Sequence, residues 1–154
     1  MQVTAFDVAR RFLGTTEVPG PRVNPVILAM LRLEDGSIVD DATAWCSAFV
    51  NFVAWLLDLP RSKSLAARSW LRIGAPVAIA DARVGFDVVV LQRGNAPQPG
   101  ADMLDAPGHV GFFAGLDGDT VRVLGGNQGD AVTEARFPVA RVLGVRRLWG
   151  EGDA

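Results

Sequence analysis

At Pro76 the apolar pattern of the chain changes period, and that change restricts the fold more than any other feature. Before it, apolar residues recur at three- and four-residue intervals between capping residues. After it they come in short β-branched runs punctuated by glycine. The first texture is that of amphipathic helices and the second that of strands. Thr4 with Asp7 makes a capping arrangement at the start of a helix carrying Val8, Phe12 and Leu13, which Gly14 closes. Asn24 as cap and Pro25 at the first helical position start a second helix, running to about Leu33 and ended by Asp35 and Gly36. A third and most apolar helix is expected over 44–57, capped by Asp41 or Thr43 and stopped by Pro60. Ser64 caps a short fourth helix in LAARSWLRI, which Gly74 ends. Strands are expected at 87–91, 109–116, 120–124, 131–135 and 143–149, with Asp117, Gly118 and Asp119 joining the second and third as a tight hairpin. Helices followed by antiparallel strands give an α+β fold, N-terminal helices packed on a C-terminal antiparallel sheet.

Length and charge narrow the function. A chain of 154 residues without internal repeat or linker is expected to be one domain, 1–154. Its formal net charge of -2 supplies no basic field for nucleic acid or an anionic membrane. The longest apolar stretch, 44–57, contains Ser47 and Asn51 and is shorter than the roughly 20 residues that span a bilayer. At the N-terminus, Asp7, Arg10 and Arg11 interrupt the apolar residues, so no signal-peptide core is read there. One cysteine, Cys46, excludes an internal disulfide and a multi-thiolate zinc site.

That cysteine and the single histidine, His109, are the candidate chemical groups. Cys46 falls in the first turn of the apolar helix, where unpaired backbone N–H groups favour negative charge and lower a thiol pKa. A lone cysteine between Trp45 and Phe49 equally fits an inert core residue. His109 follows Gly108 at the end of a long connection, 92–108, which holds Pro97, Pro99 and Pro107 and is expected to border a cleft with a mobile tip. A cysteine nucleophile needs such a base. A third group must orient the ring, and LGGNQGD offers Asn127 and Gln128 beside the start of the His strand. Asn127 is the preferred choice and Gln128 the alternative. Asp102 and Asp105 with His109 would make a metal site, although acidic residues on such a loop are ordinarily just solvated.

The blocks WCSAFVNF, LAARSWL, DVVVLQRG, GHVGFFAG, VLGGNQGD and FPVARVLGVRR occur in the order seen in phage and bacterial cell-wall cysteine hydrolases. The chain from Val8 to Arg147 resembles the CHAP and NlpC-type peptidoglycan amidases and endopeptidases of the papain-like superfamily. The resemblance implies a papain-like α+β fold, Cys46 as nucleophile, His109 as base and Asn127 as the orienting residue. Backbone N–H groups of Cys46 or Ser47 would hold the oxyanion, and Asp41, Trp45, Ser69 and Trp70 are candidate cleft walls. It further implies amide hydrolysis on a peptidoglycan stem peptide, with no cofactor and no metal. The protein would be made in the cytoplasm and reach the wall through a holin or a secretion system. Phe86 stands where relatives often have glycine before the Asp of the DVVVL block. Two other readings stay open: a thiol hydrolase or acyltransferase on a non-wall amide or ester, and a non-catalytic wall-binding phage protein.

Overall fold

A computed structural model describes residues 2–19, 21–41, 43–94 and 99–149, and places the change of texture at the first strand of a sheet. Helix α1 spans Ala5–Arg10, opened by a capping box in which Thr4 and Asp7 satisfy one another's backbone N–H. It is shorter than its apolar spacing suggested, because the chain turns over 11–14 before Gly14 at φ 92°. Helix α2 spans Pro25–Glu34, and the Asn24 side chain accepts the Val26 N–H at 2.9 Å.

Helix α3 spans Cys46–Leu56, and its start departs from expectation. The capping position is Trp45, with no side chain satisfying the first turn. Asp41 instead accepts the N–H groups of Val18 at 3.2 Å and Asn24 at 2.9 Å, so its carboxylate ties Val18 to Asn24. The first-turn N–H groups of α3 therefore have no capping side chain. Ser47 and Asn51, one turn apart, form a buried polar strip. Ser47 Oγ donates to Ser64 O at 2.6 Å and accepts from Trp70 Nε1 at 3.0 Å, while Asn51 Oδ1 accepts the Lys63 N–H at 3.0 Å. The segment expected as a fourth helix is a 3-10 helix over Ala67–Arg72. Its three-residue turn puts Ala67 and Trp70 on one buried face and turns Arg68 inward as well.

The sheet has six antiparallel strands: β1 (Ala75–Val77), β2 (Asp87–Gln92), β3 (Gly108–Asp117), β4 (Thr120–Gly125), β5 (Thr133–Pro138) and β6 (Val142–Arg147), in the order β1-β6-β2-β3-β4-β5. β1 went unread because three residues including Pro76 carry no alternation. β5 begins two residues later than expected, since Ala131 makes an isolated bridge to Thr16. Strand β2 is buried along five consecutive residues, which explains its unbroken apolar run. Val88 and Val90 face the helices with Val110, Phe112 and Leu124, while Val89 and Leu91 lie in a second cluster with Phe113, Val123 and Val145, covered in part by Ile79, Phe137 and Val139. Phe49 of α3 meets Phe12 and Phe112 edge-on, each at 6.0 Å between ring centroids.

Asp87, 1% exposed, sits at the start of β2 opposite Arg147 and takes both arms of its guanidinium, Nε at 2.7 Å and Nη2 at 2.8 Å. The Arg83 N–H completes the site at 2.8 Å. Arg147→Ala leaves a buried carboxylate without its counter-charge and is expected to cost about 3 kcal/mol. Denaturant unfolding checks this, and a loss below about 1 kcal/mol, the scale of an exposed pair, would contradict it.

Candidate active site

Cys46 is 2% exposed at the N-terminus of α3, and the backbone N–H groups of Val110, Ser47 and Cys46 itself lie near enough to its sulfur to favour the thiolate. The Val110 N–H belongs to the peptide bond that joins it to His109. A thiol near that N–H sits against the first residues of β3, so helix start and strand start, 63 positions apart, come together. The ladder between β3 and β4 begins only at Phe112, opposite Leu124.

The His109 ring, 6% exposed, lies against Phe137 with centroids 5.4 Å apart, and its Nε2 is 2.8 Å from Gln128 Oε1. The orienting contact is thus made by Gln128 and not by Asn127. Asn127 occupies a left-handed turn position at φ 58° and lines the neighbouring recess, while the longer side chain of Gln128 turns back toward β3. Gln128 is itself held. Its amide nitrogen donates to Val123 O at 3.2 Å and Thr133 O at 2.8 Å, and its backbone N–H donates to Ala131 O at 3.0 Å. With both amide hydrogens committed to carbonyl oxygens, the oxygen must face the ring, so Nε2 carries the proton and Nδ1 keeps its lone pair. That is the tautomer a general base at Nδ1 requires.

Two close approaches make this convergence possible. A Cβ at Gly126 would lie 2.6 Å from the Trp45 ring and 2.9 Å from Phe49 Cβ, so the loop carrying Gln128 can lie on the start of α3 only with glycine there. A Cβ at Gly108 would lie 2.9 Å from Arg68 Cγ. Arg68 is fully buried, and its guanidinium donates to four carbonyls of the long connection: Pro107 at 2.9 Å, Pro99 at 3.0 Å, Gly100 at 2.7 Å and Met103 at 3.1 Å. The half of the connection that delivers His109 is therefore clamped from beneath. Its expected mobile tip includes 95–98, which lie outside the described residues.

The other candidates fall differently. Trp45 and Trp70 are fully buried, Trp45 under Gly126 and Trp70 on Ser47, so both pack the frame and line no open cleft. Ser69 Oγ is turned to Ala66 O at 2.6 Å, within its own turn, and Asp41 is committed to the N–H groups of Val18 and Asn24. The N–H groups of Cys46 and Ser47 lie in the first turn of α3, which no side chain caps. Among the described residues, no group of three or more His, Cys, Asp or Glu side chains is placed to hold a metal ion, so Asp102 and Asp105 do not join His109. Arg93 and Arg68 were missed. Arg93, exposed at the end of β2, lines both the recess beside His109 and the one beside Cys46.

The electrostatics reverse the expected low thiol pKa. Burial pushes the Cys46 thiol up, against the downward pull of the Val110 N–H, the Arg93 charge and the first-turn N–H groups. Burial likewise pushes His109 down; its bond to Gln128 opposes this and the Arg93 charge adds to it. Both shifts favour a neutral thiol and a neutral imidazole at pH 7.

Compared with solved structures, the chain is similar to NlpC1 from Trichomonas vaginalis, with a TM-score of 0.56 and 17% sequence identity over 96% of this chain. The likeness fixes the fold as α+β of the NlpC-like, papain-type arrangement. The chain spans 44% of the length of that protein. No protein-family model and no curated protein sequence matches it.

Because thiolate forms only above a raised pKa, native Cys46 is expected to react with iodoacetamide at pH 7 more slowly than a free thiol of pKa about 8.5, its rate still climbing past that pH. Rates measured from pH 6 to 10 check this. A plateau reached below pH 7 would mean a preformed thiolate and would contradict it.

Proposed function

We propose that the protein is a cysteine-dependent amide hydrolase acting on peptidoglycan stem peptides, with Cys46 as nucleophile, His109 as general base and then acid, and Gln128 as the residue that positions the ring. The observation that carries this reading is the bond from Gln128 to His109 Nε2, which leaves Nδ1 as the basic nitrogen of a ring whose own backbone adjoins the Cys46 thiol. A buried Cys–His pair so prepared is costly for a core to hold and useful for acyl transfer.

In this mechanism His109 Nδ1 takes the thiol proton as Sγ attacks the amide carbon. The first-turn N–H groups of Cys46 and Ser47 receive the developing oxyanion, where fixed donors act more strongly than water does. The C–N bond breaks as the imidazolium returns that proton to the leaving amine. Water, deprotonated by the same nitrogen, then cleaves the thioester to a carboxylic acid and restores the thiol. The starting pair is neutral, so proton transfer accompanies attack.

The wall substrate rests on the blocks around Cys46, His109 and Gln128, which resemble those of cell-wall hydrolases, together with the NlpC-like fold. Digestion of purified sacculi with mass spectrometry of the fragments tests it. New stem-peptide amines mark an endopeptidase and free lactyl groups on muramic acid an amidase. Intact sacculi after prolonged incubation with folded protein would overturn the reading.

Within the site, Cys46→Ala is expected to abolish turnover. Gln128→Ala is expected to lower kcat by at least about tenfold, as loss of an oriented base does, while Asn127→Ala stays within about threefold. The reverse order would return the positioning role to Asn127. Since the His109 pKa is lowered and the neutral ring is the base, kcat/KM should rise to its plateau below the ordinary histidine value of about 6.5 and be flat through neutrality. An acid limb centred above pH 7 would contradict the assignment.

A further inference from the structure

His109 forms one wall of a recess of about 440 Å³ whose lining includes Arg93 and Arg141 as well as the apolar Ala135 and Phe137. No Asp or Glu lines it among the described residues. The arginines elsewhere in the sheet are committed. Arg122 binds Asp117 and Glu134, Arg147 binds Asp87, and Arg146 donates to the carbonyls of Ile73 and Gly74. Arg93 and Arg141 form no ion pair among the described residues. Two uncommitted guanidinium groups in a concavity without counter-charge suit a planar anion, which their forked donors hold by paired hydrogen bonds.

The position of the recess says which part of a substrate it would meet. Cys46 lines a separate, adjoining hollow with Leu65, Ala67 and Pro107, and Arg93 is common to both. In acyl transfer to sulfur, the acyl portion stays on the cysteine and the amine departs with a proton from the histidine. The amine component therefore ends on the His109 side. This inference rests on the hydrolase reading above.

We propose that Arg93 and Arg141 bind a carboxylate on the amine component of the substrate, so that the preferred amides are those whose leaving group is an amino acid or short peptide with a free carboxylate. Ala135 and Phe137 would take a small apolar side chain of that leaving residue.

The test uses the full chain and two synthetic stem-type peptides that differ only in a carboxylate or a carboxamide on the residue after the cleaved bond. Wild-type protein is expected to favour the carboxylate by about tenfold or more in kcat/KM, as charge-assisted bidentate pairing allows. In Arg93→Gln/Arg141→Gln the ratio is expected to fall to within about twofold, with Arg141→Lys retaining part of it. Titration with alanyl-alanine and alanyl-alaninamide, followed through the His109 ring signals, reads the recess without turnover. Equal rates on the two peptides, or a preference that survives in the double variant, would overturn the proposal. Carboxylate-selective binding with neither peptide cut would support the recess and overturn the hydrolase reading. Cleavage without carboxylate selectivity would do the reverse.

Discussion

The Gln128 amide decides what His109 can do. Its nitrogen is committed to two carbonyl oxygens, on β4 and β5, and its oxygen therefore accepts from His109 Nε2. A primary amide is a fixed dipole that cannot be reversed here without losing both donor bonds and setting a donor against a protonated nitrogen. A buried polar group left unpaired costs about 1–3 kcal/mol, so the tautomer is held by the fold more than by the ring's own preference. Asparagine at 127 could not substitute, because its backbone lies in a left-handed turn and its shorter side chain serves the adjoining recess.

Everything that brings the thiol to the start of β3 is packing. Three elements converge on it: the uncapped start of α3, the loop after β4 that lies on Trp45 through Gly126, and the long connection clamped by Arg68. Close packing excludes water, and exclusion of water raises the thiol pKa and lowers that of the imidazole. The helix-start N–H groups and the Arg93 charge counter the first shift without cancelling it. The resting groups are neutral, and in the mechanism proposed above charge develops when a substrate supplies an electrophilic carbon. An exposed cysteine with the same partners would carry more thiolate and be more open to alkylation and oxidation.

The architecture, with Cys46 at a helix start and His109 at a strand start, was legible in the sequence, since periodicity and capping are local. Thr4 with Asp7, Asn24 with Pro25, and Gly118 in the β3–β4 turn each act over three or four residues, and each lies in the structure where the sequence put it. The missed features depend on distant partners. Asp41 looks like a helix cap but is taken by Val18 and Asn24, and Arg68 reads as one of several surface arginines until the carbonyls of 99–107 are seen around it. The choice between Asn127 and Gln128 turned on side-chain reach and a left-handed turn. Neither is visible in a run of glycines around two amides. The low thiol pKa expected from the helix position failed because burial, a tertiary quantity, outweighs a first-turn effect.

His109 is the only histidine of the chain, so the ¹⁵N resonances of its ring can be read without assignment ambiguity. A long-range ¹H–¹⁵N correlation spectrum of the native protein at pH 7.5 therefore tests the central claim directly. The account predicts a neutral ring with the proton on Nε2, a Nδ1 shift of the unprotonated type, and loss of that fixed pattern in Gln128→Ala but not in Asn127→Ala. A proton on Nδ1, or an imidazolium paired with a thiolate at that pH, would contradict it.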